Sequence, residues 1–189
     1  MNRRQAVQRV AIILGGTVLG ADMFVQTGCN TVSKEKGSFF TKGEISLLDE
    51  IAETIIPKTD TPGAKDTKVG EFMNVMVRDC YTEENQKIFS VGLKTIERLS
   101  REKNGKNFLN ITPEQRTTLL TGIDKEQSAY HKSKKSEDPS HYFRLMKELT
   151  LLGYFTSELG ATQSLRYVSV PGRYDPCIPY QKGEKAWAL

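Results

Sequence analysis

A densely apolar segment in the last third of the chain places the strongest limit on the fold. From Phe143 to Leu159 the sequence reads FRLMKELTLLGYFTSEL, and its apolar residues recur at the three- and four-residue spacing of an α-helix. The predicted inward face of this helix is formed by Phe143, Met146, Leu149, Leu152 and Phe155. Further apolar residues lie on other faces, so we expect neighbouring structure to cover this helix on more than one side.

Four more helices are predicted upstream of this segment. Thr41 and Thr112 are each followed three residues later by a residue that completes a capping box, Glu44 and Gln115. Thr82 is predicted to cap a further helix between them, and the Asn-Gly pair at positions 104–105 is predicted to end it.

Helical periodicity also predicts which residues of the second and third helices face inward. These are Phe72, Val75 and Met76 on the second helix, and Ile88, Val91, Gly92, Ile96 and Leu99 on the third. The last helix is predicted to begin at Asp138-Pro139, and beyond Val168 the sequence has no helical period. The fold class is therefore predicted to be mainly α, a compact bundle of about five helices with a long irregular C-terminal arm.

Residues 1–29 are predicted to be an export signal outside the fold. The pair Arg3-Arg4 precedes a short, weakly hydrophobic, glycine-rich stretch at residues 10–21, a pattern typical of twin-arginine signals, which export folded proteins. An ordinary secretory signal or a short amphipathic anchor remains the alternative. Cys29 directly follows a small residue at the end of this stretch, as in bacterial lipoproteins, so Cys29 is the predicted lipidation site. Residues 30–40 are then a tether, and residues 41–189 a single helical domain.

The cysteine count suggests a disulfide. The three cysteines are at positions 29, 80 and 177. If Cys29 carries lipid, Cys80 and Cys177 remain in an oxidising compartment, and a Cys80–Cys177 bond is the simplest prediction. Two free buried thiols are the alternative.

Residue patterns that would indicate chemistry within the chain are scarce. There is no Walker loop, no haem-attachment motif and no glycine-rich dinucleotide fingerprint after a strand. The two histidines, His131 and His141, have no cysteine at metal-ligand spacing. The net charge of +4 comes without a basic cluster interleaved with aromatic residues, which disfavours nucleic-acid binding. Glu148 is predicted to pair with Arg144 one turn earlier rather than to act as a catalytic carboxylate. We predict no catalytic, cofactor-binding or metal-binding residue.

The C-terminal arm contains arginines and tyrosines that could hold an anion or anchor a protein interface. We favour the interface. Together with two aromatic residues of the last helix, the predicted partner-contacting residues are Tyr154, Phe155, Arg166, Tyr167, Pro171, Gly172, Arg173, Tyr174 and Asp175.

Two longer segments carry a resemblance to a known family. They read IIP-x-TDTPGA-x-x-x-x-VGEF, at residues 55–72, and LTLLGYFTSE-x-GA, at residues 149–161. With the Arg3-Arg4 signal, they make the chain resemble the gluconate 2-dehydrogenase subunit 3 family over essentially its whole length. Between Glu83 and Ser140 the resemblance is limited to the helical pattern.

The resemblance implies an accessory subunit of a periplasmic, membrane-associated flavin dehydrogenase for sugars or sugar acids. In such complexes a large subunit of the glucose–methanol–choline (GMC) oxidoreductase type carries FAD, and a cytochrome c subunit usually takes the electrons. The small subunit has no cofactor, supplies the export signal and stabilises the large subunit, which selects the substrate. We therefore expect a non-catalytic subunit. A free-standing periplasmic lipoprotein with ligand-binding or hydrolytic activity of its own is the alternative.

Overall fold

The structure is a computed structural model that describes residues 37–170, 172–173 and 177–188. Five α-helices lie within these residues: α1 (Lys42–Ile55), α2 (Val69–Cys80), α3 (Glu83–Asn104), α4 (Pro113–Ser133) and α5 (Tyr142–Thr156). A short 3-10 helix (Phe108–Asn110) precedes α4, and a π-helical turn (Gly160–Ser164) follows α5. Two short strands, β1 (Arg166–Tyr167) and β2 (Trp187–Ala188), pair in parallel. The prediction of a mainly α fold with an irregular C-terminal arm is confirmed.

Local sequence explains where these helices begin and end. The capping boxes predicted at Thr41 and Thr112 are both formed, and the Thr82 side chain accepts a hydrogen bond from the amide of Asn85. Gly105 ends α3 with a φ of 69°, in the left-handed region that favours glycine. Each cap satisfies backbone groups that the helix itself leaves unpaired.

Helix α5 is the centre of the bundle. It packs against all four other helices, and its buried side chains include Phe143, Leu145, Met146 and Leu149. Coverage on more than one side, as predicted, is confirmed. The predicted inward positions of Leu152 and Phe155 are wrong, because both residues lie on the side of the helix that faces away from the core.

The inward faces predicted for α2 and α3 are partly wrong. Val75 and Val91 are 44% and 62% exposed, whereas Met73 and Phe89 on adjacent arcs are fully buried. In both helices apolar residues occupy two neighbouring arcs, so periodicity finds the helix without fixing its rotation about its own axis.

The folded domain begins before its predicted boundary at residue 41. The side-chain oxygen of Asn74 in α2 accepts hydrogen bonds from the amides of Phe39 and Phe40, at 3.1 and 2.9 Å. Phe40 is 2% exposed and belongs to the core. Residues 38–40 are therefore part of the domain rather than of the predicted tether, because an aromatic pair gains free energy by burial.

The last helix also begins later than predicted, at Tyr142 rather than at Asp138. Its cap is His141, whose Nδ1 atom accepts a hydrogen bond from the amide of Phe143 at 3.2 Å. Burial lowers the pKa of His141, which agrees with a ring nitrogen kept unprotonated for this bond. No helix in the described part of the chain has the length and hydropathy needed to span a membrane.

Candidate partner-binding surface

Tyr154 connects two parts of the chain that lie far apart in sequence. Its hydroxyl donates to the carbonyl oxygen of Pro62 at 2.6 Å and accepts from the hydroxyl of Ser164 at 2.5 Å. The side chain is 2% exposed. Tyr154, predicted to contact a partner, is therefore a core residue, because its ring is buried and its hydroxyl has internal partners.

The loop that Tyr154 contacts is fixed from its other side by α1. The two carboxylate oxygens of Glu53 accept hydrogen bonds from the amides of Lys58 and Lys65, each at 2.9 Å. The ammonium group of Lys65 lies 2.6 Å from a carboxylate oxygen of Glu50, which also pairs with Arg116 of α4. The segment 55–72 is thus fixed by carboxylates of α1 and joined to the segment 149–161 by the hydrogen bond between Tyr154 and Pro62.

A polar cleft of about 420 Å³ lies between this loop and the π-helical turn. Lys58 and Asp66 form an ion pair of 3.0 Å within its lining, and Leu159 and Gln163 line it from the turn. The hydrogen bond from Lys58 holds the pKa of the Asp66 carboxyl below its ordinary value, so Asp66 is ionised at neutral pH and is a poor proton donor. Most of the side chains that line the cleft are hydrogen-bonding groups of the kind that bind a polar ligand.

One face of α5 exposes apolar side chains. Leu151 and Leu152 are each 45% exposed and Phe155 is 38% exposed, although all three lie on the central helix of the bundle. The predicted ion pair between Arg144 and Glu148 is confirmed at 2.8 Å and precedes these residues on the same face. Of these three residues only Phe155 was also among the predicted partner-contacting residues, and the two leucines were not.

The C-terminal arm also exposes apolar side chains. Among the described residues, twelve large hydrophobic side chains are exposed, and nine of them lie at or after residue 151. These nine are Leu151, Leu152, Phe155, Tyr167, Val168, Val170, Ile178, Tyr180 and Trp187. We call this set the C-terminal apolar surface. Exposed apolar and aromatic side chains are common at surfaces that bind another macromolecule, and the last third of the chain carries most of those in the described residues.

Arg166, a predicted contact residue, organises the end of the arm. Its guanidinium lies 4.6 Å from the ring centre of Trp187 and 3.2 Å from a carboxylate oxygen of Glu184. Tyr167 is 52% exposed beside it. Sequence reasoning missed Trp187, although an isolated tryptophan in an irregular, polar segment is a signal for a binding surface.

The remaining predicted residues are distributed as follows. Gly172 and Arg173 lie in the arm and are exposed. The predicted Cys80–Cys177 bond is not formed, because both cysteines are exposed free thiols. A count of cysteines carries no information on the Cα separation that a disulfide requires. Six further predicted residues lie outside the described residues: Arg3, Arg4, Cys29, Pro171, Tyr174 and Asp175.

Burial shifts the pKa values of several ionisable side chains of the helical bundle. His141 caps α5, and burial raises the pKa values of Tyr81 and Tyr142 to about 12, which keeps both phenols neutral. Within the described residues, no group of three or more His, Cys, Asp or Glu side chains is arranged to hold a metal ion.

A family model described as gluconate 2-dehydrogenase subunit 3 matches residues 42–172, well over half of the chain. The matched region contains all five described α-helices, the loop held by Tyr154 and strand β1, and it ends before strand β2. Searches of curated proteins and of solved structures gave no match.

Proposed function

Because the chain belongs to the gluconate 2-dehydrogenase subunit 3 family, we propose that it is a non-catalytic accessory subunit of a periplasmic, membrane-associated flavin dehydrogenase. Its partner is a large subunit of the GMC type that carries FAD and oxidises a sugar or sugar acid. A cytochrome c subunit receives the electrons. The chain itself contributes export, stability and docking of the large subunit.

The C-terminal apolar surface is the observation that carries this proposal. Removing one Leu or Phe side chain from water contributes about 1.5–3 kcal/mol. Leu151, Leu152 and Phe155 keep a substantial part of that free energy unused in the isolated chain, since each is more than one third exposed. A folded partner that covers them recovers it.

The N-terminal sequence supports the proposed location. Arg3-Arg4 would direct the chain, together with its folded cargo, to the twin-arginine export route. A lipid on Cys29 would then hold the complex at the membrane, with residues 30–37 as the link to the domain.

Co-expression with a GMC-type flavoprotein from the same genome neighbourhood tests the proposal. We expect the full chain and the flavoprotein to elute together in size-exclusion chromatography, with flavin absorbance in the shared peak. Leu152→Glu places a charge on the apolar face of α5 and should weaken the complex at least tenfold, as expected of a central interface position.

Val91→Glu is the matched control, because Val91 is 62% exposed on α3 and lies outside the C-terminal apolar surface. It should leave the complex intact, while circular dichroism shows both variants to be folded. A flavoprotein that remains stable and active without the chain, and never elutes with it, would refute the proposal. Turnover of a substrate by the chain alone would support the free-standing alternative.

A further inference from the structure

The end of the arm is held by three side chains that we call the C-terminal clasp: Arg166, Glu184 and Trp187. The amide of Arg166 donates to the carbonyl oxygen of Ala186 at 2.8 Å. The Arg166 guanidinium pairs with the carboxylate of Glu184 at 3.2 Å and stacks over Trp187 at 4.6 Å. One residue thus makes a backbone bond, an ion pair and a cation–π contact to the segment 184–187.

The strand pairing alone is too small to hold the end of the arm in one conformation. Strands β1 and β2 are two residues each, with Arg166 opposite Trp187 and Tyr167 opposite Ala188. A sheet of this size is not stable alone in water. A further hydrogen bond to the end of the arm runs from the ammonium group of Lys185 to the carbonyl oxygen of Gln163, in the π-helical turn.

The clasp presents large side chains instead of burying them. Trp187 remains 47% exposed with Arg166 on one face of its ring, and Tyr180 and Ile178 are 82% and 49% exposed. Aromatic residues with few rotatable bonds, held in place before binding, lose little entropy when a partner covers them.

Part of the clasp lies outside the residues that the family model matches. The family match ends at residue 172, whereas Glu184 and Trp187 come later. The shared region supplies Arg166, and the segment that follows supplies both of its side-chain partners. Contacts made by this segment are therefore suited to distinguishing one flavoprotein from another.

We propose that the C-terminal clasp pre-organises residues 177–188 as a second contact with the flavoprotein subunit, and that this contact contributes to partner selection. The inference rests on the proposed function. The complementary face of the flavoprotein is expected to be apolar with an acidic margin, because residues 177–188 combine exposed aromatic side chains with the cations Lys182 and Lys185, while Glu184 is paired with Arg166.

A folded protein fits this segment better than a lipid bilayer does. The described backbone from Cys177 to Tyr180 is irregular rather than helical. Irregular backbone leaves N–H and C=O groups that lipid cannot satisfy, whereas a protein surface can pair with them. The segment also lacks the amphipathic helix by which proteins commonly lie in a membrane interface.

The test compares Glu184→Lys with Glu102→Lys in the full chain, measuring the Kd for the purified flavoprotein. Glu102 pairs with Arg98 at 2.7 Å on exposed α3, so both variants break an ion pair of arginine and change the net charge equally. We expect a five- to tenfold weaker complex for Glu184→Lys and less than a twofold change for Glu102→Lys. The double variant Arg166→Glu/Glu184→Lys should regain part of the lost affinity.

Hydrogen exchange supplies the second measurement, because the Arg166 amide should exchange faster in Glu184→Lys. If the unsubstituted chain does not bind the flavoprotein, the proposed function fails, and this inference with it. If it binds and Glu184→Lys binds equally well despite faster exchange, only the inference fails. Loss of binding to phosphatidylglycerol vesicles, with unchanged affinity for the flavoprotein, would assign the segment to the membrane and likewise overturn it.

Discussion

Replacing Tyr154 by phenylalanine tests whether one buried hydroxyl joins the loop after α1 to the end of α5. The substitution keeps the ring, and with it the packing of a side chain that is 2% exposed. It removes the donor to Pro62 and the acceptor for Ser164. Both partners then lose a hydrogen bond that water cannot readily replace.

The expected cost follows from the two bonds. A net contribution of about 0.5–1.5 kcal/mol for each gives about 1–3 kcal/mol in total for the two part-buried bonds. For a domain of this size, 2 kcal/mol corresponds to a decrease in Tm of about 4–8 °C.

Tyr130→Phe is the matched control. The Tyr130 hydroxyl also donates to the carbonyl oxygen of a proline, Pro139, at 2.9 Å, but this bond is exposed. Water replaces it, so the free energy of unfolding should change by less than about 0.5 kcal/mol. Urea denaturation of the two variants makes the comparison, and hydrogen exchange of residues 59–64 locates the effect. Equal losses for both variants would refute the role assigned to Tyr154.

Two further predictions concern the cap of α5 and two glycines, one in α3 and one in α4. Because burial lowers the pKa of His141, the unfolded chain binds its proton at higher pH than the folded chain does, so stability should decrease as the pH falls below about 6.5. His141→Asn keeps a cap but should flatten this part of the pH profile of the urea midpoint, whereas His131→Gln should preserve it. Gly92→Ala should destabilise the fold by about 1–3 kcal/mol, because the new Cβ would lie 2.4 Å from the Cβ of Tyr142. Gly122→Ala lies at an exposed helical site, where the new Cβ would have Lys103 Nζ as its nearest neighbour at 4.0 Å, and should instead stabilise the fold by up to about 1 kcal/mol. A higher Tm for Gly92→Ala than for Gly122→Ala would contradict both assignments.

The features predicted correctly from the sequence are those determined within a few residues. The caps at Thr41 and Thr112 and the stop at Gly105 depend on local hydrogen bonds and on φ, which neighbouring residues fix. The pairing of Arg144 with Glu148 depends only on helical spacing. Such features need no knowledge of tertiary structure.

Features that depend on long-range packing were not predictable in the same way. The rotation of α3 that buries Phe89 and exposes Val91 is set by which helices cover it, and the early start of the domain is set by Asn74, which lies 34 residues after Phe40. For the candidate site, composition identified the arm and Arg166. It gave no means of pairing Arg166 with Trp187, because that contact needs the chain to return over about twenty residues.

The two adjacent aromatic residues of α5 show how the interior and the proposed docking surface are connected. Tyr154 points into the core and Phe155 points outward, yet their rings meet edge to face with centres 5.1 Å apart. The ring of Tyr154 therefore supports Phe155 from below, whereas its hydroxyl supports the loop at Pro62. Loss of the hydroxyl alone should reduce stability and leave the orientation of Phe155 intact. Tyr154→Phe is accordingly expected to unfold at a lower temperature and still bind the flavoprotein. Tyr154→Ala, which also removes the ring, should lose both stability and binding.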